Sequence, residues 1–398
     1  MPPVATPARA GNSHDLIIAG GGVHGMVLAL LAAEAGQRVA LLDRGQPGQA
    51  TSAAWFGILH GGLRYLQSMD IRRLRASLRA RRWFMRRFPD QVTPLPFLMP
   101  LYDRGLKRAE VFRLAFLADA VLTADRNRGL AAGSRLPRGR VLGTEAVTGL
   151  FADVPTAGLR GGALWQEVIT PDPARLFAAL VEQARAAGVE IHTGTEVTGP
   201  ITEAGRITGV TTMEHATGQQ GTYHAPMVVN TAGPWNGALA RRLDPGAPAL
   251  FHPALGFNLL LDRPPPAPVG LSLSPPEADG AMLFVYPRGR QSFAGTWYAP
   301  WTQDAGDPGQ ITPTPGQVAE FLAALNASAP GLEARAEHVV EITAGLLPAH
   351  APGSTELIHD DLVHDHARHG GPTGLFSLTG IKYTTAPEVA RHLLARMG

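Results

Sequence analysis

Residues 15 to 44 read DLIIAGGGVHGMVLALLAAEAGQRVALLDR. A short apolar run leads into a glycine-rich turn, then a stretch rich in Ala and Leu, then a second apolar run that ends on an acid, Asp43. The hydrophobic pattern changes from strand to helix and back, so the segment reads as a complete βαβ unit. Gly20, Gly22 and Gly25 carry the G-x-G-x-x-G spacing where the first strand opens into the helix, and Asp43 follows eighteen residues after Gly25. Glycines there permit a tight turn and let a dinucleotide's pyrophosphate approach the free N–H groups of the helix N-terminus. Asp43 is placed to accept from a ribose hydroxyl.

Working outward, residues 1–13 are rich in Pro and Ala and read as a disordered tail. They lack an apolar core segment, so no secretory signal is expected and the location expected is cytoplasmic or membrane-peripheral. Residues 71–88 place Ile71, Leu74, Leu78, Met85 and Phe88 on one helical stripe, interrupted at Arg81. Helices are also predicted over 106–123, within 171–188 with Pro171 or Pro173 near the start and Gly188 as the stop, and over 316–327, with a closing helix over 384–396. Strands are predicted at 165–169, in a meander after 190, at 227–230, and in a proline- and glycine-rich stretch at 255–262, 282–287 and 292–298. These readings give an α/β fold with a discontinuous Rossmann-like nucleotide domain (14–70, 166–240 and 341–398). An inserted α+β substrate domain combines a helical part (71–165) with an antiparallel sheet (241–340).

Composition removes several classes of function. The 398 residues contain no cysteine, which excludes disulfides, thiolate metal sites, iron–sulfur clusters and a cysteine nucleophile. No apolar run reaches the roughly eighteen residues that would span a bilayer. The net charge of +2 hides an asymmetry: residues 1–140 hold 21 basic and 9 acidic groups, the remainder 14 and 24. Only Lys107 and Lys382 are lysine. An arginine-rich segment, 72–87, could meet an acidic membrane or protein partner, a solvated face or pairing within the chain being the plainer reading. No nucleic-acid partner is expected, because no base-stacking aromatics interleave with a repeated basic groove.

Further motifs carry a resemblance. The ATS at 50–52, HGGLRYLQ at 60–67, NTAGPW at 230–235, the LFVYP-to-FAGT hairpin and the terminal TGIKYTT join DLIIAGGGVHG in chain order. Together they resemble the FAD-dependent glycerol-3-phosphate dehydrogenase and oxidase family, within the wider D-amino-acid-oxidase-like flavoproteins. The resemblance implies a glutathione-reductase-type domain with non-covalent FAD, a substrate roof over the flavin, and hydride transfer from a C–OH carbon of a small molecule to flavin N5. The electrons would pass on to a quinone or to oxygen. Gly20, Gly22, Val23, His24, Gly25, Asp43 and Arg44 would hold the ADP half, with Thr51 and Ser52 at the pyrophosphate or ribityl chain. His60, Gly61, Gly62, Val197, Thr231, Ala232, Gly233, Trp235 and Gly345 would complete the cofactor shell, Trp235 also as core packing. The turn of Gly380, Ile381, Lys382, Tyr383 and Thr384 would face the isoalloxazine, where a helix N-terminus favours charge developing at N1 and the C2 carbonyl.

Among the remaining polar groups, His60 is the leading base, since a neutral imidazole can take a hydroxyl proton near working pH. Lys382 and Arg64 are the leading orienters, and Tyr65 adds a hydrogen-bonding contact. Two positions depart from the family pattern: Leu347 stands where an arginine is expected in Gly345-Leu346-Leu347-Pro348, and His359 where another is expected in Ile358-His359-Asp360. Each loss removes a bidentate donor for phosphate or carboxylate. The pocket is therefore expected to be reshaped, with His350 and His359 lining it and Trp297 and Tyr298 making it aromatic. Two other readings stay open: the same fold oxidising a C–N bond of an amine or amino acid, and a partner-dependent biosynthetic flavoprotein. His359, His364, His366 and His369 lack a tight pair with an acidic third ligand, so no metal site is expected.

Overall fold

A computed structural model describes residues 13–397 except 67, 103–106, 275–281, 304–305 and 307–309, with Arg64 described by its backbone alone. The tail expected over 1–13 falls outside the described residues but for Ser13. The βαβ unit forms as read: strand Leu16–Ala19, helix Val23–Glu34 and strand Val39–Leu42, with the two strands parallel. The helix is buried on almost every side, from Val23 and Met26 to Ala32. That explains why its sequence is apolar throughout rather than striped.

Leu16–Ala19 lies near the centre of a six-stranded sheet in the order Leu362–Asp365, Leu375–Thr379, Val228–Asn230, Leu16–Ala19, Val39–Leu42, Glu190–His192. All neighbours are parallel except the first pair. The chain leaves Leu16–Ala19 toward one neighbour and returns much later to the other, so a crevice opens at the carboxyl ends of these strands. The closing helix, Ala386–Met397, and helix Pro173–Ala186 pack with Val23–Glu34 on one face of this sheet.

A second, nine-stranded sheet roofs the crevice. Its order runs Val339–Pro348, Pro253–Leu261, Gln291–Pro300, Leu283–Arg288, Gly270–Leu273, Thr93–Leu101, Gly161–Ile169, Ile58–Leu59, with Arg140–Leu142 beside Gly161–Ile169. Only Gly270–Leu273 and Thr93–Leu101 pair in parallel. Gly161–Ile169 runs through the boundary expected at 165/166, and Val339–Pro348 through the one at 340/341. A three-stranded antiparallel sheet, Thr195–Glu203 to Gln220–His224, completes the nucleotide side.

The arginine-rich segment is the helix Ile71–Arg87, capped by the Asp70 carboxylate. Leu74, Leu78, Met85 and Phe88 are buried as the stripe predicts, but Ile71 is exposed and Arg81 is buried among them. Seven of its eight arginines find partners inside the chain: Arg73 with Asp360, Arg75 and Arg82 with Asp125, Arg79 with Glu388, Arg81 with Glu167, Arg86 with the Arg128 carbonyl and Arg87 with Glu34. The two arginines at Asp125 hold its carboxyl well below the usual carboxylate range. The basic excess of the first part is thus spent largely inside the molecule.

Candidate functional site

A cavity of about 1720 Å³ runs between the two large sheets, well above the roughly 300–1,000 Å³ of a drug-sized pocket. One end is made by backbone. Gly20 has φ +113, and a Cβ there would lie 2.7 Å from the Thr231 carbonyl oxygen. A Cβ on Gly25 would lie 2.0 Å from the Gly20 carbonyl oxygen. Only glycine at both positions lets the helix start rest against the end of the strand. Gly22 is the N-cap with no side-chain cap of its own, and the Val23 N–H donates to Ser52 Oγ at 3.0 Å. Asp43 accepts from the Gly21 N–H at 2.6 Å and the Gly45 N–H at 2.8 Å, which fixes its carboxylate at the cavity wall. Trp235 is not a core residue: it is half-buried, with the Arg44 guanidinium 4.1 Å from its ring centre.

The middle is aromatic. Trp55 and Tyr383 stack with centroids 3.8 Å apart, and both line the cavity. His24 packs against Gly380, where a Cβ would come 2.2 Å from the imidazole. Burial, only partly offset by Asp361, lowers the His24 pKa. Thr384 and Thr385 lie in a 3-10 turn ahead of Ala386, and the Thr385 hydroxyl donates to the Lys382 carbonyl at 3.0 Å.

The far end is built from side chains of distant segments. His60 Nδ1 stands 3.6 Å from Glu167 Oε1, and Arg81 is 3.6 Å from Glu167 Oε2. Glu167 is buried and accepts from the Gly61 N–H and from Trp165 Nε1–H, each at 3.0 Å. Burial works to raise its pKa, but His60, Arg81 and Trp165 outweigh it and hold the carboxyl below its usual value. Lys382 donates to the Tyr65 hydroxyl and stands 4.8 Å from the centre of that ring. Leu347 lies across Gly256, where a Cβ would come 2.4 Å from Leu347 Cδ1, beside Thr296 and Tyr298. Trp297 stacks on Phe321 at 5.4 Å.

Of the sequence-predicted residues, all line this cavity except Gly25, Gly61 and His350, with the Arg64 side chain outside the described residues. Of the four histidines, His364, His366 and His369 stay together, the His364 ring centre lying 4.5 Å from each of the other two, while His359 lies apart beside His350; His364 sits in a strand, and His366 is buried between Asp244 at 2.7 Å and Ser377 at 2.9 Å. Sequence reading missed Glu167, Arg81 and the cavity-lining Lys107. Glu167 had a signal, since it alternates in phase with the inward-facing Trp165 and Ile169. So had Arg81, which stands in the apolar stripe that it was taken to interrupt.

Residues 15–396 match the family model of the D-amino-acid-oxidase-like group, described as FAD dependent oxidoreductase. This chain belongs to that family. The alpha-glycerophosphate oxidase of Enterococcus casseliflavus is 29% identical over 345 residues, covering 85% of this chain and 55% of that protein. Glycerol-3-phosphate dehydrogenase 1 of Mycobacterium bovis is 31% identical over 407 residues, 98% of this chain and 74% of that protein. The glycerol-3-phosphate dehydrogenase from Bacillus halodurans complexed with FAD shares the fold, with a TM-score of 0.72 at 23% identity over 98% of this chain and 65% of that one. The chain spans about half the length of the alpha-glycerophosphate oxidase it matches.

The cavity of this FAD-dependent oxidoreductase suits the cofactor. The glycine cradle admits a pyrophosphate at the helix N-terminus. His24 Nε2, Trp55 Nε1 and the Tyr383 hydroxyl are buried on the cavity wall without a hydrogen-bond partner among the described residues, and a flat ring edged with acceptors and donors would satisfy such atoms. No helix among the described residues is long and apolar enough to cross a membrane.

Proposed function

We propose that this chain dehydrogenates a C–OH carbon of a small polyol-like or hydroxy-acid substrate and passes the electrons to a quinone or oxygen. When bound, FAD supplies the acceptor for the hydride. Gly20, Gly22, Gly25 and Asp43 would hold its ADP half, and the Gly380–Thr384 turn its ring end. The observation that carries the reading is the pairing of His60 on the cavity wall with buried Glu167. A carboxylate facing Nδ1 keeps the proton on that nitrogen and leaves Nε2 as the acceptor of the substrate's hydroxyl proton. Gly61, Trp165 and Arg81 hold Glu167 in place, so its charge faces His60 without reaching solvent. Lys382 and Tyr65, bonded to one another, would orient the substrate oxygen.

A small-molecule partner fits the enclosed cavity better than a macromolecular one does. The internal pairing of the arginine helix leaves little of its charge for an acidic membrane or protein surface. The test is anaerobic bleaching of the bound flavin, followed at its visible absorbance, against polyols, hydroxy acids and amines, each with and without phosphate. Bleaching by C–OH compounds is the expected result. Bleaching by amines alone, or a purified chain that takes up no flavin, would overturn the reading.

A further inference from the structure

The loop that follows Leu347 brings three ligand-type side chains together. The Ile358 N–H donates to the Pro348 carbonyl at 3.0 Å and the His350 N–H to the Glu356 carbonyl at 2.9 Å, and Ala349 bridges Leu357. These backbone bonds clamp the two arms of the loop as a hairpin. His350 and His359 are held with ring centroids 5.7 Å apart, nearly perpendicular. The ligand atoms of His350, Glu356 and His359 all lie within 4.8 Å of one another. His359, which showed no metal pattern with His364, His366 and His369, therefore groups with a different histidine and a carboxylate. The neighbouring acids are engaged elsewhere: Asp360 with Arg73, and Asp361 with the Ile381 N–H.

We propose that His350, Glu356 and His359 bind a divalent transition ion of the zinc class at the cavity rim, where its open coordination positions take an anionic oxygen of the substrate. Two imidazoles and a carboxylate are a three-ligand set that leaves zinc a free position. Zinc–ligand bonds of about 2.1 Å put tetrahedral ligand atoms about 3.4 Å apart. All three side chains are exposed, so rotamer shifts can close the remaining gap without disturbing packed neighbours. Thr355, Leu357, Ile358 and His359 of this loop line the cavity, next to Leu347 and Tyr298. The ion would stand where two guanidinium groups are expected and are replaced by Leu347 and His359. A dication is a chemically sound replacement for them, because phosphate and carboxylate oxygens are hard anionic donors that bind it directly.

The substrate half of this inference rests on the proposed oxidation, whereas the metal half does not. Isothermal titration of the FAD-loaded chain with Zn²⁺, checked by metal analysis after dialysis, reads the metal half. Uptake of one ion per chain is expected. His350→Ala and Glu356→Gln should each weaken uptake about 100-fold with flavin content and unfolding midpoint unchanged, while His364→Ala leaves it intact. Uptake that survives both substitutions, or that follows His364, overturns the site whether or not any substrate bleaches the flavin.

The second readout is the shift of the flavin spectrum on binding glycerol 3-phosphate, glycerate or glycerol, with Zn²⁺ or with a chelator. At least a tenfold tightening by Zn²⁺ is expected for an anionic ligand and none for glycerol. The two anionic arms distinguish phosphate from carboxylate as the bound group. Equal affinities with and without Zn²⁺ for both anions overturn the role in substrate binding.

Discussion

The two ends of the cavity are held by different parts of the chain. At the nucleotide end the walls are backbone: Gly20, Gly25, the Thr231 carbonyl and amides that meet one carboxylate. At the substrate end they are side chains drawn from segments far apart in sequence, such as Tyr65 with Lys382 and His60 with Glu167. A backbone cradle allows almost no substitution, since any Cβ collides. A side-chain wall can be recomposed one residue at a time.

Breaking the backbone end should have the largest effect. Gly25→Ala puts a Cβ 2.0 Å from the Gly20 carbonyl, and a clash with backbone has no flexible neighbour to absorb it. Loss of bound flavin on gel filtration is expected, with roughly 3 kcal/mol or more of destabilisation; a variant that keeps its flavin would mean the cradle is looser than the contact distance allows. At the other end, His60→Asn should retain flavin but lower kcat about 100-fold or more under rapid flavin-reduction assay. A variant with unchanged kcat removes His60 as the base.

Glu167→Gln sharpens the contrast, because it acts through other residues. Arg81 would be left buried without the charge it faces at 3.6 Å, at a cost of about 3 kcal/mol in a denaturant titration, and kcat should fall about tenfold because the imidazole loses the carboxylate that orients it. A stability loss with unchanged kcat would reduce Glu167 to a structural role. Tyr65→Phe should change only the partner of Lys382 and raise KM about tenfold with kcat nearly constant, consistent with about 1.4 kcal/mol for a hydrogen bond to a charged group. A fall in kcat at constant KM would place Tyr65 in the chemical step instead.

The smallest effect is on pH. Burial lowers the pKa of His24 at the nucleotide side of the cavity, of His192 in the same sheet and of His364 near its edge. Each takes up its proton at lower pH in the fold than in the unfolded chain, so their stabilisation is complete above the unfolded value of about 6.5 and declines as pH falls through it. The unfolding midpoint should therefore drop between pH 7.5 and pH 5.5. His24→Asn should flatten part of that slope, and a midpoint that rises on acidification would contradict it.

The same contrast explains what could be read without coordinates. Glycines at Gly20, Gly22 and Gly25 report a local backbone requirement, so spacing alone revealed the cradle and Asp43. The Lys382 turn was legible because lysine is so scarce here. Glu167 and Arg81 each carried a local signal, in-phase alternation in a strand and a place in an apolar stripe, but a strand and a helix separated by some eighty residues had to meet before either charge made sense. Trp235 was misread as core because an apolar ring after a buried strand looks the same whether a side chain or a guanidinium covers it. His350 was assigned to the pocket by proximity in sequence, whereas the hairpin turns it to the rim beside Glu356.

The pairing of the arginine helix also bears on how the chain is made. Arg73 and Arg79 are synthesised some three hundred residues before Asp360 and Glu388, the groups that neutralise them. Until those segments dock, Arg73 keeps only Asp70 of the helix cap as a partner, and Arg79 leans on temporary ones. Helix Ala386–Met397 carries Glu388, so its docking pairs Arg79 and, through the Tyr383 turn, sets the aromatic wall at once. Folding here therefore depends on contacts between segments some three hundred residues apart, and long-range closure of this kind makes for slow folding.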